Sequence, residues 1–245
     1  MTHPAERAQI AIEPGWNQMI HAAAGVLTVL TAAARCTVPV GRAVWIPAGI
    51  PVEIDNARPV RVRIVYLQRN PAGVAEPFPA DRPTVVSLSP FARELLAHVV
   101  RQAPLKPGDP LHSALVTVLV DQLRSAPVES LELPLPTGEL GRLLVVLAFR
   151  SPGTPAATLA RDMSVAVRTL ERHVWRDTGL TLGLWLRRAR ILTSLETLTN
   201  TGSVTRAAAA CGYATPSAYI VAFSRELGTT PARFGLRPGP APTSP

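Results

Sequence analysis

The chain has 245 residues, more than one typical domain of ~100–200 residues, so its length favours two domains. Its hydrophobic content of 47% is sufficient for packed cores and excludes a disordered chain. No apolar run reaches the ~18 residues of a membrane helix, and the first residues lack the layout of a signal peptide. The two cysteines, Cys36 and Cys211, lie in segments of different character, so we expect no disulfide framework, a cytoplasmic location and no membrane partner.

The basic charge is concentrated towards the C-terminus. Of the 25 basic residues, 24 are arginine and one, Lys106, is lysine. The formal net charge of +8 divides into +1 over residues 1–133 and +7 over the remainder. This asymmetry predicts a polyanion-binding module joined to a nearly neutral one.

The N-terminal half has the pattern of short β-strands. Residues 25–67 contain several apolar runs punctuated by glycine and proline, and residues 60–67 alternate cleanly between apolar and other side chains. Such spacing is typical of a sandwich or barrel. Two amphipathic helices are predicted to follow, near 90–102 and 109–125.

The remaining segments are predicted from composition and helical periodicity. Residues 1–8 and 238–245 read as disordered ends, and the proline-containing stretch 126–137 reads as a linker. Everything from about 138 to 236 is predicted to be helical.

The basic half contains a weak internal repeat at an offset of 48–49 residues, between 159–174 and 207–223. Ala160 and Ala208 are small enough to let two helices cross closely, and Gly212 suits the tight turn between them. Each copy therefore has the pattern of a helix-turn-helix unit. A long amphipathic helix between the copies would hold them in fixed register.

Residues 138–236 resemble the DNA-binding domain of the AraC/XylS family of bacterial transcription regulators. The motifs that carry the resemblance are Arg168-Thr-Leu170-Glu-Arg172, Thr178-Gly179, Trp185 with Arg190, Gly212-Tyr213-Ala-Thr-Pro-Ser217-Ala-Tyr219-Ile-Val-Ala-Phe223 and Gly228-Thr-Thr-Pro231-Ala-Arg233-Phe. Members of this family insert the second helix of each unit into successive major-groove segments about one helical turn apart. The resemblance implies double-stranded promoter or operator DNA as a partner, with RNA polymerase and a second copy of the chain as further partners.

Carried onto this sequence, the resemblance predicts recognition helices near 167–176 and 216–226. Nine side chains are expected to contact DNA: Arg168, Glu171, Arg172, Thr215, Ser217, Arg187, Arg188, Arg206 and Arg225. Arginine can read guanine and glutamate can accept from cytosine N4, so the first helix would read bases. The second helix has few donors and would contact phosphates and thymine methyl groups, and the last four arginines would contact phosphates. The alternative is that these arginines line a solvated helix face.

Three residues of the first unit depart from the family pattern. Ser164 stands where glycine is frequent in the turn, and Ala166 stands where a serine N-cap is common, which typically costs ~1 kcal/mol of helix stability. Val174 replaces the usual aromatic core residue. We therefore expect the first unit to be the less stable of the two.

Residues 41–56 resemble the second cupin motif, except that Val52 replaces its histidine. Gln18 falls where the glutamate of the first motif would be, and with most ligands gone we expect no metal and no other cofactor. The barrel could still hold a small-molecule effector, with Trp16, Gln18, His21 and Trp45 as candidate cavity residues. Equally, Trp45 could belong to the core, and His21 could be a packed or hydrogen-bonded residue.

The chain is thus predicted to be an α+β protein. An N-terminal cupin-like β-barrel with two following helices precedes a C-terminal all-α domain with two helix-turn-helix units. The domains are a sensor and dimerisation domain over 9–125, a linker over 126–137 and a DNA-binding domain over 138–236. Leu95, Val99, Leu115 and Leu119 could form a dimer seam or could cover the open end of the barrel.

Three functions remain open from the sequence. The leading hypothesis is a sequence-specific transcription regulator that is not an enzyme and responds to an effector. The second is a cupin-barrel enzyme with an accessory nucleic-acid-binding domain, and the third is a regulator that has lost effector sensing. No nucleotide-binding loop, catalytic triad or paired carboxylates stand out, so no other catalysis is suggested.

Overall fold

The structure is a computed structural model that describes residues 2–3, 7–10, 14–56, 58–69, 76–106 and 108–235. The described residues divide into two compact units, one from 1–31 and 38–130 and the other from 32–37 and 131–238. The predicted disordered tail, 238–245, lies outside the described residues.

Ten strands and nine helices are formed by the described residues. The strands are β1 (Thr2–His3), β2 (Arg7–Ile10), β3 (Trp16–Ala24), β4 (Val26–Leu30), β5 (Ala34–Pro39), β6 (Arg42–Ile46), β7 (Val52–Asp55), β8 (Val60–Gln68), β9 (Thr84–Ser87) and β10 (Glu132–Pro134). The helices are α1 (Pro90–Gln102), α2 (Pro110–Arg124), α3 (Gly138–Arg150), α4 (Ala156–Asp162), α5 (Val167–Thr178), α6 (Leu182–Thr201), α7 (Val204–Ala210), α8 (Pro216–Leu227) and α9 (Pro231–Gly235).

The first unit is built from antiparallel strands followed by α1 and α2. One sheet has the order β1-β8-β3-β6-β9, and β4, β7 and β2 pair in that order in a second sheet. These strands confirm the sheet predicted over residues 25–67, whereas the cupin assignment itself stays a prediction. The expectation of disorder over residues 1–8 is wrong for the described residues there, because β1 pairs with β8 and β2 pairs with β7.

Helices α1 and α2 cover one face of the five-stranded sheet. Met19 and Trp45, which face each other across β3 and β6, pack with Leu96, Leu119 and Leu123 in a single core. Ser89 and Asp109 cap the two helices by accepting hydrogen bonds from backbone N–H groups of their first turns, as N-cap residues do.

The residues predicted as a dimer seam belong to this same core. Leu95, Val99 and Leu119 are buried within the unit, and Leu115 packs against them. They cover the sheet of their own chain, so the interpretation as a seam between two copies is wrong for the three buried side chains and stays a prediction for the partly buried Leu115. Dimerisation itself stays a prediction.

The second unit contains α3–α9 together with a short strand ladder. Residues Glu132–Pro134, inside the stretch predicted as a linker, pair with residues 34–36 of β5. The Arg35 guanidinium lies 4.3 Å from the centre of the Phe149 ring, and the Trp185 indole N–H donates to the Pro134 carbonyl at 2.8 Å. Through these contacts β10 belongs to the same compact unit as the helices. The domain boundaries drawn from the sequence stay a prediction.

The helices of the second unit confirm the predicted pair of helix-turn-helix units. Helices α4 and α5 form the first unit and α7 and α8 form the second, with the 20-residue α6 between them and in contact with both. Thr181 caps α6 by accepting the Leu184 N–H, and Gly202 ends it with a φ of +62°. This arrangement confirms the α+β class with a helical C-terminal part.

Candidate nucleic-acid interface

The turns of the two helix-turn-helix units repeat each other bond for bond. In the first turn, backbone N–H groups donate as follows: Met163 to Leu159, Ser164 to Arg161 and Val165 to Ala160, at 2.9–3.0 Å. In the second, the corresponding bonds at 3.0–3.3 Å are Cys211 to Ala207, Gly212 to Ala209 and Tyr213 to Ala208. The offset is 48 up to this point and 49 afterwards, because the second turn has the additional residue Ala214.

Both turns need a left-handed residue, and the two units supply it differently. Ser164 has a φ of +55° and is the only non-glycine residue of the described part of the chain with positive φ, whereas Gly212 has a φ of +74°. Ser164, which stands where glycine is frequent in the family, therefore adopts a conformation that costs L-residues about 1–2 kcal/mol.

The second turn is also held from outside by backbone and side-chain contacts. A Cβ on Gly212 would lie 2.8 Å from the Pro152 carbonyl oxygen and 3.1 Å from the Gly153 Cα, so only glycine fits. From α6, Arg190 donates to the carbonyl oxygens of Cys211 and Gly212 at 2.9 and 2.7 Å. Its guanidinium also lies 4.1 Å from the centre of the Tyr213 ring. These contacts fix the second turn against α6 and against the segment that precedes α4.

The caps and cores of the two units differ in the direction expected from the sequence. Thr215 caps α8 by accepting the Ala218 N–H at 3.2 Å, whereas Ala166 at the start of α5 makes no side-chain cap. Around α8, edge-to-face aromatic contacts run successively through Tyr213, Tyr219, Phe223 and Phe234. The corresponding buried residues of α5 are Leu170 and Val174.

The last turn of α5 is fastened to the beginning of α3. The Thr137 backbone N–H and hydroxyl both donate to one Asp177 oxygen, at 2.8 and 2.6 Å, and Arg176 donates to the other at 2.7 Å. The Arg176 and Thr137 hydrogen bonds hold the pKa of the Asp177 carboxyl well below its usual range. Asp177 therefore remains an anion at neutral pH and orients the first recognition helix.

One face of α5 exposes three of the residues predicted to read bases. Arg168, Glu171 and Arg172 are all exposed and lie three and four positions apart. Trp175 continues the same stripe, and its side chain is 60% exposed, which is unusual for a residue of this size. Sequence reasoning missed Trp175, although its spacing of three, four and seven residues from the other members could have found it.

The second recognition helix exposes a different surface. Thr215 and Ser217 are exposed, as a contact with DNA requires. At the 49-residue offset, Ile220 and Val221 stand in the places of Glu171 and Arg172, and Val221 is 69% exposed. The face of α8 is therefore largely apolar where the face of α5 is charged.

The four arginines predicted to contact phosphates divide into two pairs. Arg206 and Arg225 are exposed. Arg187 and Arg188 on α6 instead both reach the nearly buried carboxylate of Glu226, at 2.6 and 3.4 Å. Their charge is partly neutralised within the protein, which the sequence did not indicate.

The four candidate effector residues lie on two opposite faces of β3 and β6. Side chains alternate along a strand, so Trp16 and Gln18 point to one face of the sheet and His21 to the other, which it shares with Trp45. Trp45 is buried in the core beneath α1 and α2, with its ring in edge-to-face contact with Phe78. The structure does not bring the four residues together. On β3, Trp16 and Gln18 occupy even positions and His21 an odd one, which already predicts opposite faces of the sheet.

His21 has an environment unlike that of the other three. It is 1% exposed, and neither ring nitrogen has a hydrogen-bond partner in the described part of the chain. Burial, together with the nearby Arg63 and Arg93 guanidinium groups, lowers the pKa of His21 to about 3. The imidazole is therefore neutral at physiological pH.

The described residues contain neither a candidate metal-binding group nor a helix that could span a membrane. Across the described ranges there is no group of three or more histidine, cysteine, aspartate or glutamate side chains that could hold a metal ion. Val52, in the place of the cupin histidine, is buried in β7. Within the same ranges, every helix is too short or too polar to cross a membrane.

Known proteins resemble this chain in its helical unit and along most of its length. A family model described as a helix-turn-helix domain matches residues 159–237. NimR of Escherichia coli K12, an HTH-type transcriptional regulator, is 28% identical over 223 residues, which are 90% of this chain and 80% of NimR. RipA of Corynebacterium glutamicum, also an HTH-type transcriptional regulator, is 28% identical over 103 residues, 41% of this chain and 31% of RipA.

The solved structure of ToxT from Vibrio cholerae is similar with a TM-score of 0.40 at 9% identity, covering 96% of this chain and 97% of ToxT. The family match falls on the two units whose turns repeat each other bond for bond. With the likeness to NimR, it indicates an HTH-type transcriptional regulator whose helix-turn-helix domain spans residues 159–237.

Proposed function

We propose that the chain recognises a specific promoter or operator sequence through α5 and α8, under the control of a small molecule bound by the N-terminal unit. The observation that carries this proposal is the repeated turn geometry, which presents α5 and α8 as equivalent exposed helices. The regulator would act in the cytoplasm without catalysis or cofactor, as a homodimer that contacts RNA polymerase. The sensor would occupy 9–125 and the DNA-binding domain 138–236, although β10 lies within the proposed linker 126–137.

Helix α5 is proposed to read G·C base pairs. Arg168 and Arg172 can each donate two hydrogen bonds to guanine, and Glu171 between them can accept from cytosine N4. Their exposure and their common face allow all three to enter one major groove. Trp175, at the end of the stripe, would pack its indole against the sugar–phosphate backbone or a thymine methyl group.

Helix α8 is proposed to read thymine through apolar contact. Ile220 and Val221 have no hydrogen-bonding atoms, so the thymine methyl group is the feature of the major groove that they can distinguish. Thr215 and Ser217, at the N-terminal end of the helix, would donate to phosphates, together with Arg206 and Arg225. The operator would then have a G·C-containing half and a half that is rich in thymine.

Helix α6 lies between the two helix-turn-helix units and contacts both. Arg190, near the middle of α6, fixes the second turn against this helix through the carbonyl oxygens of Cys211 and Gly212. A fixed register of the two units supports simultaneous entry of α5 and α8 into successive segments of the major groove.

The test is fluorescence anisotropy of the full chain on its own upstream DNA and on a scrambled duplex of equal length, at two salt concentrations. We expect tighter binding to the native duplex at both concentrations and a fall in affinity with salt for both. Equal affinity for the two duplexes, with or without cell extract metabolites, would contradict sequence-specific regulation from this DNA.

A further inference from the structure

His21 lies on the helix-covered face of the first sheet without the partners that its chemistry needs. Its neighbours on this face include Met19, two residues away on β3, and Ala43, directly opposite on β6, and neither offers a side-chain nitrogen or oxygen. A neutral imidazole carries one N–H donor and one acceptor nitrogen. Both are buried and unpaired in the described structure, a situation that native proteins rarely leave without a ligand, ion or water.

Two arginines converge on this histidine from different elements. Arg63 stands directly opposite His21 on β8, where facing side chains share one side of the sheet. Arg93 comes from α1, and a terminal nitrogen of its guanidinium would lie 3.2 Å from a Cβ at Gly41, two residues before Ala43. Both arginines are half-buried, so this end of the face retains access to solvent.

The hydrogen-bonding capacity of these three side chains is unbalanced. A guanidinium has five N–H donors and no acceptor, so neither arginine can accept the imidazole proton. Burial is the main cause that lowers the pKa of His21, and the positive charges of both guanidinium groups lower it further, so the imidazole is neutral. An oxyanion beside His21 would supply its N–H with an acceptor, and it would carry a charge opposite to that of both guanidinium groups.

We propose that His21, Arg63 and Arg93 bind an oxyanion, the carboxylate or phosphate group of a small effector. Planar guanidinium groups match both anions with paired hydrogen bonds, and the His21 N–H supplies a further donor from within the sheet. The bound anion would link α1 to β3 and β8. This inference rests on the proposed effector control and specifies the chemistry that the effector carries.

The experiment follows the imidazole ¹⁵N–¹H resonances of the full chain, with the His21 signals assigned from His21→Asn. Sodium benzoate is titrated in one arm and sodium phosphate in the other, at pH 7 and at an ionic strength held constant with sodium chloride. We expect a saturable change of the His21 signals in at least one arm, and that arm identifies the anion as a carboxylate or a phosphate. Arg63→Gln and Arg93→Gln should each weaken binding about tenfold or more, as expected for loss of a charged hydrogen bond.

Arg101→Gln is the matched control, since it removes one exposed arginine from the same helix and should leave the dissociation constant unchanged. The proposal is overturned if neither anion changes the His21 signals, or if the Arg63 and Arg93 variants, folded by their amide spectra, bind as the wild type does. The same samples are tested on native and scrambled DNA. If the chain binds native DNA selectively but neither anion changes the His21 signals, the anion site is contradicted and the proposed function is not. If an anion binds but native and scrambled DNA are bound equally, the proposed function is contradicted and the anion site is not.

Discussion

Replacing Gly212 by alanine tests whether the close approach at the second turn holds the DNA-binding unit together. At a φ of +74°, alanine costs about 1–2 kcal/mol relative to an ordinary backbone conformation. Its Cβ would lie 2.8 Å from the Pro152 carbonyl oxygen, and overpacking against backbone that cannot rotate away costs a further ~1–3 kcal/mol. Alanine returns ~0.4–1 kcal/mol by restricting the unfolded chain, so we expect the free energy of unfolding to fall by about 1–4.5 kcal/mol.

The assay is urea denaturation followed by ellipticity at 222 nm, since most of the helical residues lie in the second unit. Gly202→Ala is the matched control, because Gly202 has a φ of +62° and nothing within 4 Å of its added Cβ. Gly202→Ala should lower the free energy of unfolding only by the conformational cost of about 1 kcal/mol. If Gly212→Ala is no more destabilising than Gly202→Ala, the contact with Pro152 and Gly153 does not hold the turn, and the reasoning is refuted.

Four further predictions follow from the site. Ala166→Ser should raise the free energy of unfolding by about 0.5–1 kcal/mol by capping α5, and an unchanged or lower melting temperature would argue against a missing cap. Uracil in place of a contacted thymine in the α8 half-site should weaken binding roughly fourfold, near the ~0.8 kcal/mol of one buried methyl, and Val221→Ala should abolish this difference in anisotropy. Glu226→Gln should release its two arginines and tighten binding to native and scrambled DNA alike, with a steeper salt dependence; selective tightening on native DNA alone would contradict this. Because the folded pKa of His21 is about 3 against 6.5 for the free side chain, the wild type should lose stability as pH falls from 6.5 towards 3, and denaturation of His21→Asn should show less of this loss.

The features that the sequence predicted well are those decided by local chemistry. The missing cap at Ala166, the left-handed position of Ser164 and the buried place of Val174 all depend on residues within one turn or helix. The repeat then located both recognition helices, because the same local pattern occurs twice. These properties need no knowledge of which distant segments meet.

The features that escaped prediction depend on contacts between distant segments. Glu226 reaches Arg187 across 39 residues, so the partial neutralisation of that arginine could not be seen from spacing along one helix. The pairing of β10 with residues 34–36 likewise joins segments about 100 residues apart. The apolar stripe that contains Leu95 suggested a dimer seam, because an amphipathic stripe does not show whether the same chain or a second copy covers it. In the structure, Leu95 lies in the core of its own unit.

The central claim is that the exposed face of α5 reads base sequence. The most direct measurement is the ratio of affinities for native and scrambled upstream DNA, by anisotropy, in the wild type, Arg172→Ala and Arg161→Ala. Arg161 is an exposed arginine of α4 in the same helix-turn-helix unit, and it controls for the loss of charge. We predict that Arg172→Ala weakens binding to the native duplex by about 1–3 kcal/mol and lowers the ratio, while Arg161→Ala leaves the ratio unchanged. An equal loss on both duplexes for Arg172→Ala would show that α5 contacts only the phosphate backbone and would contradict the account.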